Sequence, residues 1–194
     1  ISACLVGSEM CIRDSYTGFG RTGDWFACAH ESVTPDLLCI GKAMGGGFPI
    51  SALLGTATVM DAWPASEGEA LHTSTYLGNP MGCAAALATI EELERLALPA
   101  RAKRLGEDIA PQLDALRATR GVVDVRGRGL MWGIELRDGL LAERVVKATL
   151  ARGVILLQAG VRGEVVSIAP PLVIGEDELG RALATLREAI STAG

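Results

Sequence analysis

Lysine is scarce in this chain. Of 18 basic residues only three are lysines, Lys42, Lys103 and Lys147, so arginine carries nearly all of the positive charge. No stretch interleaves basic and aromatic residues, and the formal net charge is −5 with a pI near 5.1. That balance argues against nucleic acid or an anionic membrane surface as a partner and leaves small acidic molecules open. Long apolar runs are also missing: "CAAALA" at 83–88 falls far short of the ~20 residues of a membrane span. No secretory leader pattern opens the sequence, which makes the cytoplasm the expected compartment. The five cysteines are odd in number and include no CxxC pair, so neither a disulfide framework nor a zinc site is indicated, and most read as small buried hydrophobes. There is no internal repeat and no low-complexity segment.

What is present is a chain of 194 residues, 49% hydrophobic, enough for one domain or two small ones. "LLCIG" (37–41) and "SALLG" (51–55) read as short strands joined by the glycine-rich "KAMGGGFPI". Behind the turn signal "GNP", Asn79 and Pro80 open a helix, and Pro99 separates it from a second one that ends at Gly121. The texture then changes. "VVDVRGRGLMWGIEL" predicts two strands about a glycine turn, "LLAERVVKATLARG" a helix, "VILLQ" and "EVVSIAP" strands, and "EDELGRALATLREAI" a terminal amphipathic helix. This is an α+β unit, and the boundary before it is placed near residue 95. Residues 1–15, "ISACLVGSEMCIRDS", show neither strand alternation nor helical amphipathicity. They read as a non-native string of the kind left by a translated adaptor or linker.

Several motifs invite chemistry and fail. "GFGRTG" at 18–23 satisfies G-x-G-x-x-G with Gly18, Gly20 and Gly23, but no hydrophobic strand precedes it and no helical periodicity follows. Glycines at a turn are the better account. A phosphate loop at Lys42 would need glycine at Asp36 and a hydroxyl at Ala43. His30 beside Glu31, and the separate His72, have no partner at metal-ligand spacing and read as ordinary polar or core histidines, so no metal site is expected.

Lys42 itself allows two readings. A lysine at the end of a buried strand is penalised by desolvation, and a neutral amine made that way attacks an aldehyde, with the glycines admitting a bulky cofactor close to the backbone. Equally, a strand-end lysine reaches the surface along its aliphatic stem. Lys103 and Lys147 sit in helical, polar-flanked contexts and read as solvated.

Four segments in series carry a resemblance that separates these readings: "YTGFGRTGDWFACAHESVTPDLLCIGKAMGGGFPISALLG", "HTSTYLGNPMGCAAALA", "VRGRGLMWGIEL" and "IAPPLVI". In order and spacing they resemble the class-III pyridoxal-phosphate-dependent aminotransferases, fold-type-I enzymes related to acetylornithine, ornithine and 4-aminobutyrate aminotransferases, over residues 16–192. The resemblance implies an α/β fold: 16–95 as the C-terminal part of the cofactor-binding large domain and 96–194 as the α+β small domain. It implies pyridoxal 5′-phosphate as cofactor, an amine or amino acid donor, a keto acid acceptor and a homodimer.

By the same resemblance, Lys42 matches the lysine that bonds the cofactor aldehyde and then shuttles a proton between substrate and cofactor. Thr75 matches the threonine that binds the cofactor phosphate of the neighbouring subunit; on its own it reads as a turn residue. Tyr16 stands where many members have a glutamine near the cofactor's 3′-oxygen. The sequence departs from the family in two places. Arg13 and Asp14 occupy the positions of the family's Asp-Glu, whose aspartate pairs with the pyridinium nitrogen. Ser167 stands where many relatives carry a carboxylate-binding arginine, with Arg162 in a turn five residues earlier. Members are about twice this length, so the chain alone is expected to lack catalysis and to expose apolar sheet surface. An aminomutase or a decarboxylating relative is the alternative reading on the same fold.

Overall fold

The computed structural model describes residues 3–6, 9–62, 67–68 and 74–194; His72 lies outside them. The chain divides into two compact units, Ile1–Gly20 with Asp24–Ala97, and Arg21–Gly23 with Leu98–Gly194. Among the described residues no helix is long and apolar enough to cross a membrane.

The first unit holds a sheet in the order β1-β2-β3-β4, formed by Ala3–Val6, Glu9–Arg13, Leu37–Ile40 and Ala52–Gly55. The segment expected to lack strand character therefore forms a hairpin, and β2 runs parallel to β3. The reason is backbone pairing rather than pattern: the β3 edge offers unpaired N–H and C=O groups, and β2 satisfies them while burying Ile12. In β3 the period of two buries Leu38 and Ile40, whereas Leu53 and Leu54 of β4 stay about half exposed. A short helix α1, Ala57–Met60, follows.

Helix α2, Pro80–Arg95, starts as its sequence suggests. The Asn79 side chain accepts from the N–H groups of Met81 at 3.0 Å and Gly82 at 3.2 Å, and Pro80 fills the first position, where its missing N–H costs nothing. The break after α2 is not at Pro99. It falls at Ala97, whose left-handed φ of 48° ends the helix, and α3 (Leu98–Asp114) takes Pro99 into its own first turn.

In the second unit, α3 buries Leu98, Ala102, Leu105, Ile109 and Leu113, a helical stripe. Strands β5 (Val122–Arg128), β6 (Met131–Leu136), β7 (Leu157–Ala159) and β8 (Val165–Ile168) form an antiparallel sheet in the order β5-β6-β8-β7. Helix α4, Gly139–Leu150, is capped by the Asp138 carboxylate, which accepts from Leu141 N–H at 2.8 Å. Helix α5, Glu176–Ala193, opens with the Glu178 carboxylate accepting from Gly175 N–H at 2.8 Å. The strand expected from residue 154 begins only at Leu157, because the chain first turns back on α4 through Val154 N–H to Thr149 O. Leu130, Ile134, Leu141, Val145, Val166, Leu186 and Ile190 form the fully buried centre. The Arg101 guanidinium on α3 donates to the carbonyls of Leu172 and Ile174, both at 2.6 Å, and so holds the loop after β8 by its backbone.

Two helical glycines in this unit predict opposite outcomes. A Cβ at Gly106 of α3 would sit 2.5 Å from the Cα of Gly129 in the β5–β6 turn, where neither backbone can yield, whereas Gly180 of α5 meets nothing within 4 Å. Helix propensity alone favours alanine at both by about 1 kcal/mol. We therefore expect Gly180→Ala to raise the urea midpoint and Gly106→Ala to lower it; a rise in both would remove the close approach from consideration.

Candidate active site

The parallel pairing of β2 and β3 places the site. Arg13 and Cys39 are paired Cα partners, and Asp14 N–H continues the ladder to Cys39 O at 3.0 Å. Beyond that shared end, both chains turn, and Tyr16 and Lys42 each follow three residues after the last pair. The two side chains meet there: the Lys42 Nζ lies 4.8 Å from the centroid of the Tyr16 ring. Carboxyl ends of parallel strands are where α/β sheets bind ligands.

Each partner is held by its backbone. Asp14 is 1% exposed, and its carboxylate accepts from the Thr17 hydroxyl and from Ala27 N–H at 2.7 Å, while its own carbonyl takes Gly18 N–H at 3.0 Å. Gly18 is required here, since a Cβ would come within 2.6 Å of Asp14 O. Phe19 and Phe26 close the loop in an edge-to-face pair 5.6 Å apart. Burial raises the Asp14 carboxyl above its ordinary range, against the opposing pull of the Ala27 and Cys28 N–H groups. The Cys28 thiol is likewise pushed up, first by burial and then by the Asp14 charge, which keeps it inert. Of the described cysteine side chains, Cys28 is buried, Cys39 is half-buried and Cys83 is exposed on α2.

Of the two readings open for Lys42, the surface one describes its side chain. It is exposed, not buried: β3 ends at the buried Ile40, and Lys42 opens a 3-10 turn, Lys42–Gly45, with a left-handed φ of 50° that carries the side chain outward. Such a backbone costs a non-glycine residue about 1–2 kcal/mol. Among the described residues no carboxylate pairs with this ammonium, in contrast to Lys147, which is bridged to Glu143 at 2.5 Å. The glycines have separate tasks. A Cβ at Gly45 would strike Ile50 Cγ2 at 2.8 Å, and one at Gly46 would strike Thr89 Oγ1 of α2 at 2.5 Å, so both serve packing of the loop on the helix. Gly47, with φ +111° and nothing within 4 Å, alone faces open space.

Thr75 is exposed in the turn that leads through Asn79 into α2, the helix on which the glycine loop packs. The structure thus joins Tyr16 to Lys42 directly, and Thr75 only through α2. In the second unit Ser167 stands in β8 opposite Gly133 and Leu157, and Arg162 occupies an exposed turn with its N–H donated to the Glu164 carboxylate at 2.7 Å. Sequence reasoning missed the Asp14 carboxylate as the loop's anchor, although the short Asp-x-x-Thr spacing of Asp14 and Thr17 is a turn signal.

The Aminotransferase class-III profile matches residues 10–190. The chain belongs to the class-III aminotransferase family. This class-III chain is 40% identical over 189 residues to the 4-aminobutyrate aminotransferase of Mycobacterium leprae, covering 93% of itself and 42% of that protein. It is 38% identical over 194 residues to a leucine/methionine racemase of Thermococcus litoralis, covering 95% of itself and 42% of the relative. Among solved structures it is similar to the ornithine aminotransferase of Plasmodium yoelii, with a TM-score of 0.87 and 28% identity over 96% of this chain and 50% of that one. The class-III chain therefore spans about half, or less, of the length of the relatives it matches.

Two outcomes follow from the geometry. Because burial raises the Asp14 carboxyl in the folded chain, its contribution to stability is complete below the ordinary carboxylate range, ~4, and is lost as pH rises through the raised value. Asp14→Asn should flatten that slope in pH-dependent urea unfolding, and Asp14→Ala should cost about 1–3 kcal/mol at every pH by stranding the Ala27 N–H. For the strained lysine, Lys42→Gly should unfold at a higher urea midpoint than Lys42→Ala by the equivalent of about 1 kcal/mol. Equal midpoints would mean that the left-handed turn carries no strain.

Proposed function

We propose that this chain supplies the lysine-bearing part of a pyridoxal 5′-phosphate-dependent aminotransferase site, acting between an amine or amino acid donor and a keto acid acceptor. The observation that carries this reading is Lys42 itself: an amine with no carboxylate partner among the described residues, on a left-handed turn at the carboxyl end of paired parallel strands. The residues present fit the cofactor, since Lys42 is exposed and Gly47 leaves backbone open beside it. When bound, pyridoxal phosphate supplies an electron sink for the substrate carbanion.

The chain's own residues do the rest. The Lys42 amine would hold the cofactor at its carbonyl carbon, with loss of water, and would be the group that takes and returns the proton at the substrate Cα. The Tyr16 hydroxyl would serve as a hydrogen-bond partner for the cofactor's 3′-oxygen. Thr75 offers a hydroxyl and a backbone N–H to the phosphate of a neighbouring subunit's cofactor, which its exposure permits and which makes a homodimer the working form. Asp14 takes no part in this chemistry, because its carboxylate is spent on Thr17 and Ala27. Pairing with a pyridinium nitrogen thus falls to no carboxylate described at the end of β2, and the chain alone binds cofactor without turning over.

The similarity to a racemase bears on reaction type, since proton transfer by the lysine is common to both outcomes. In the full-length protein, amine donors should convert the cofactor to its amino form, which a racemase does not accumulate. For this chain, incubation with pyridoxal phosphate should produce the visible absorbance of the lysine-bound cofactor, and Lys42→Ala should abolish it. No band from the unaltered chain would sink the proposal, and a band surviving in Lys42→Ala would move the attachment point to another lysine.

A further inference from the structure

The contact between Tyr16 and Lys42 is more than proximity. The ammonium sits over the ring at 4.8 Å, within the range in which the negative face of an aromatic ring attracts a cation. Both side chains are partly open to water, and Tyr16 is 41% exposed, so hydrophobic burial does not account for the approach. Neither backbone is free to bring them together by chance. Tyr16 lies in the turn fastened by Asp14, through the Thr17 hydroxyl, Ala27 N–H and Gly18 N–H. Lys42 lies in a turn closed by Met44 N–H to Gly41 O at 3.2 Å and Gly46 N–H to Ala43 O at 3.1 Å. Among the described residues no acid competes with the ring for this amine.

We propose that Tyr16 is a positioning residue for Lys42: its ring, and not its hydroxyl, holds the amine in place over the aromatic face until a carbonyl compound reaches it. This rests on Lys42 being the reacting amine. It differs from a role for the phenol toward the cofactor, because it operates with no cofactor bound. An aromatic face attracts the ammonium, so the ring restrains and partly covers the nucleophile in the resting chain. Replacing the ring by a side chain without a π face releases it.

The scarcity of lysine makes this measurable in the intact chain. Trace acetylation with acetic anhydride at neutral pH, followed by peptide mass spectrometry, reads the reactivity of Lys42 against Lys103 as an internal standard. At an exposed site, loss of the ring should raise the Lys42 to Lys103 labelling ratio about two- to five-fold in Tyr16→Leu and Tyr16→Gln alike. Tyr16→Phe, which keeps the face and drops the hydroxyl, should leave the ratio where it is. An unchanged ratio in both ring-less variants overturns the proposal, as does a Tyr16→Phe ratio that rises with them. The reagent needs no cofactor, so failure of the cofactor band and failure of this effect are separate results.

Discussion

The parallel pairing of Cys11, Ile12 and Arg13 with Leu37, Leu38 and Cys39 decides where the chemistry of the first unit stands. Parallel strands end on the same side, so two segments far apart in sequence deliver their next residues to one place. On one chain that residue is an aromatic, on the other an amine. The Asp14 anchor and the glycine loop packed on α2 are both consequences of having to turn sharply just past that common edge. A slip of one residue along β3 would turn every β2 side chain to the opposite face and separate the pair.

The two units differ in how they are held. The second has a closed interior built by side-chain period, with helices α3, α4 and α5 contributing buried leucines to an antiparallel sheet whose own β6 alternates strictly. The first relies on backbone hydrogen bonds and a few buried groups, and leaves Leu53, Leu54, Tyr76, Leu77, Met81 and Leu87 open.

What could be read from sequence follows this division. Helices α4 and α5 and strand β6 were legible because burial imposes a period that residues display directly. The entry to α2 was legible because Asn79 and Pro80 act locally. Hairpin β1–β2 was not, since its order comes from pairing with β3 and leaves no alternation to see. The exposure of Lys42 was not legible either, because it goes with one left-handed φ that no pattern announces. The glycines after it invited a ligand, yet Gly45 and Gly46 answer to Ile50 and Thr89, contacts that exist only once α2 is in place. Contact between Tyr16 and Lys42 depends on strand register and was likewise out of reach.

The Arg101 fork has a consequence for how this fold can diversify. Because Arg101 grips the carbonyls of Leu172 and Ile174, the course of the loop after β8 is dictated from a helix and not by the loop's own side chains. Residues along that stretch, Ser167 at its entrance among them, can then be exchanged without redirecting the main chain. A main chain held in this way keeps its path whatever side chains the loop itself carries.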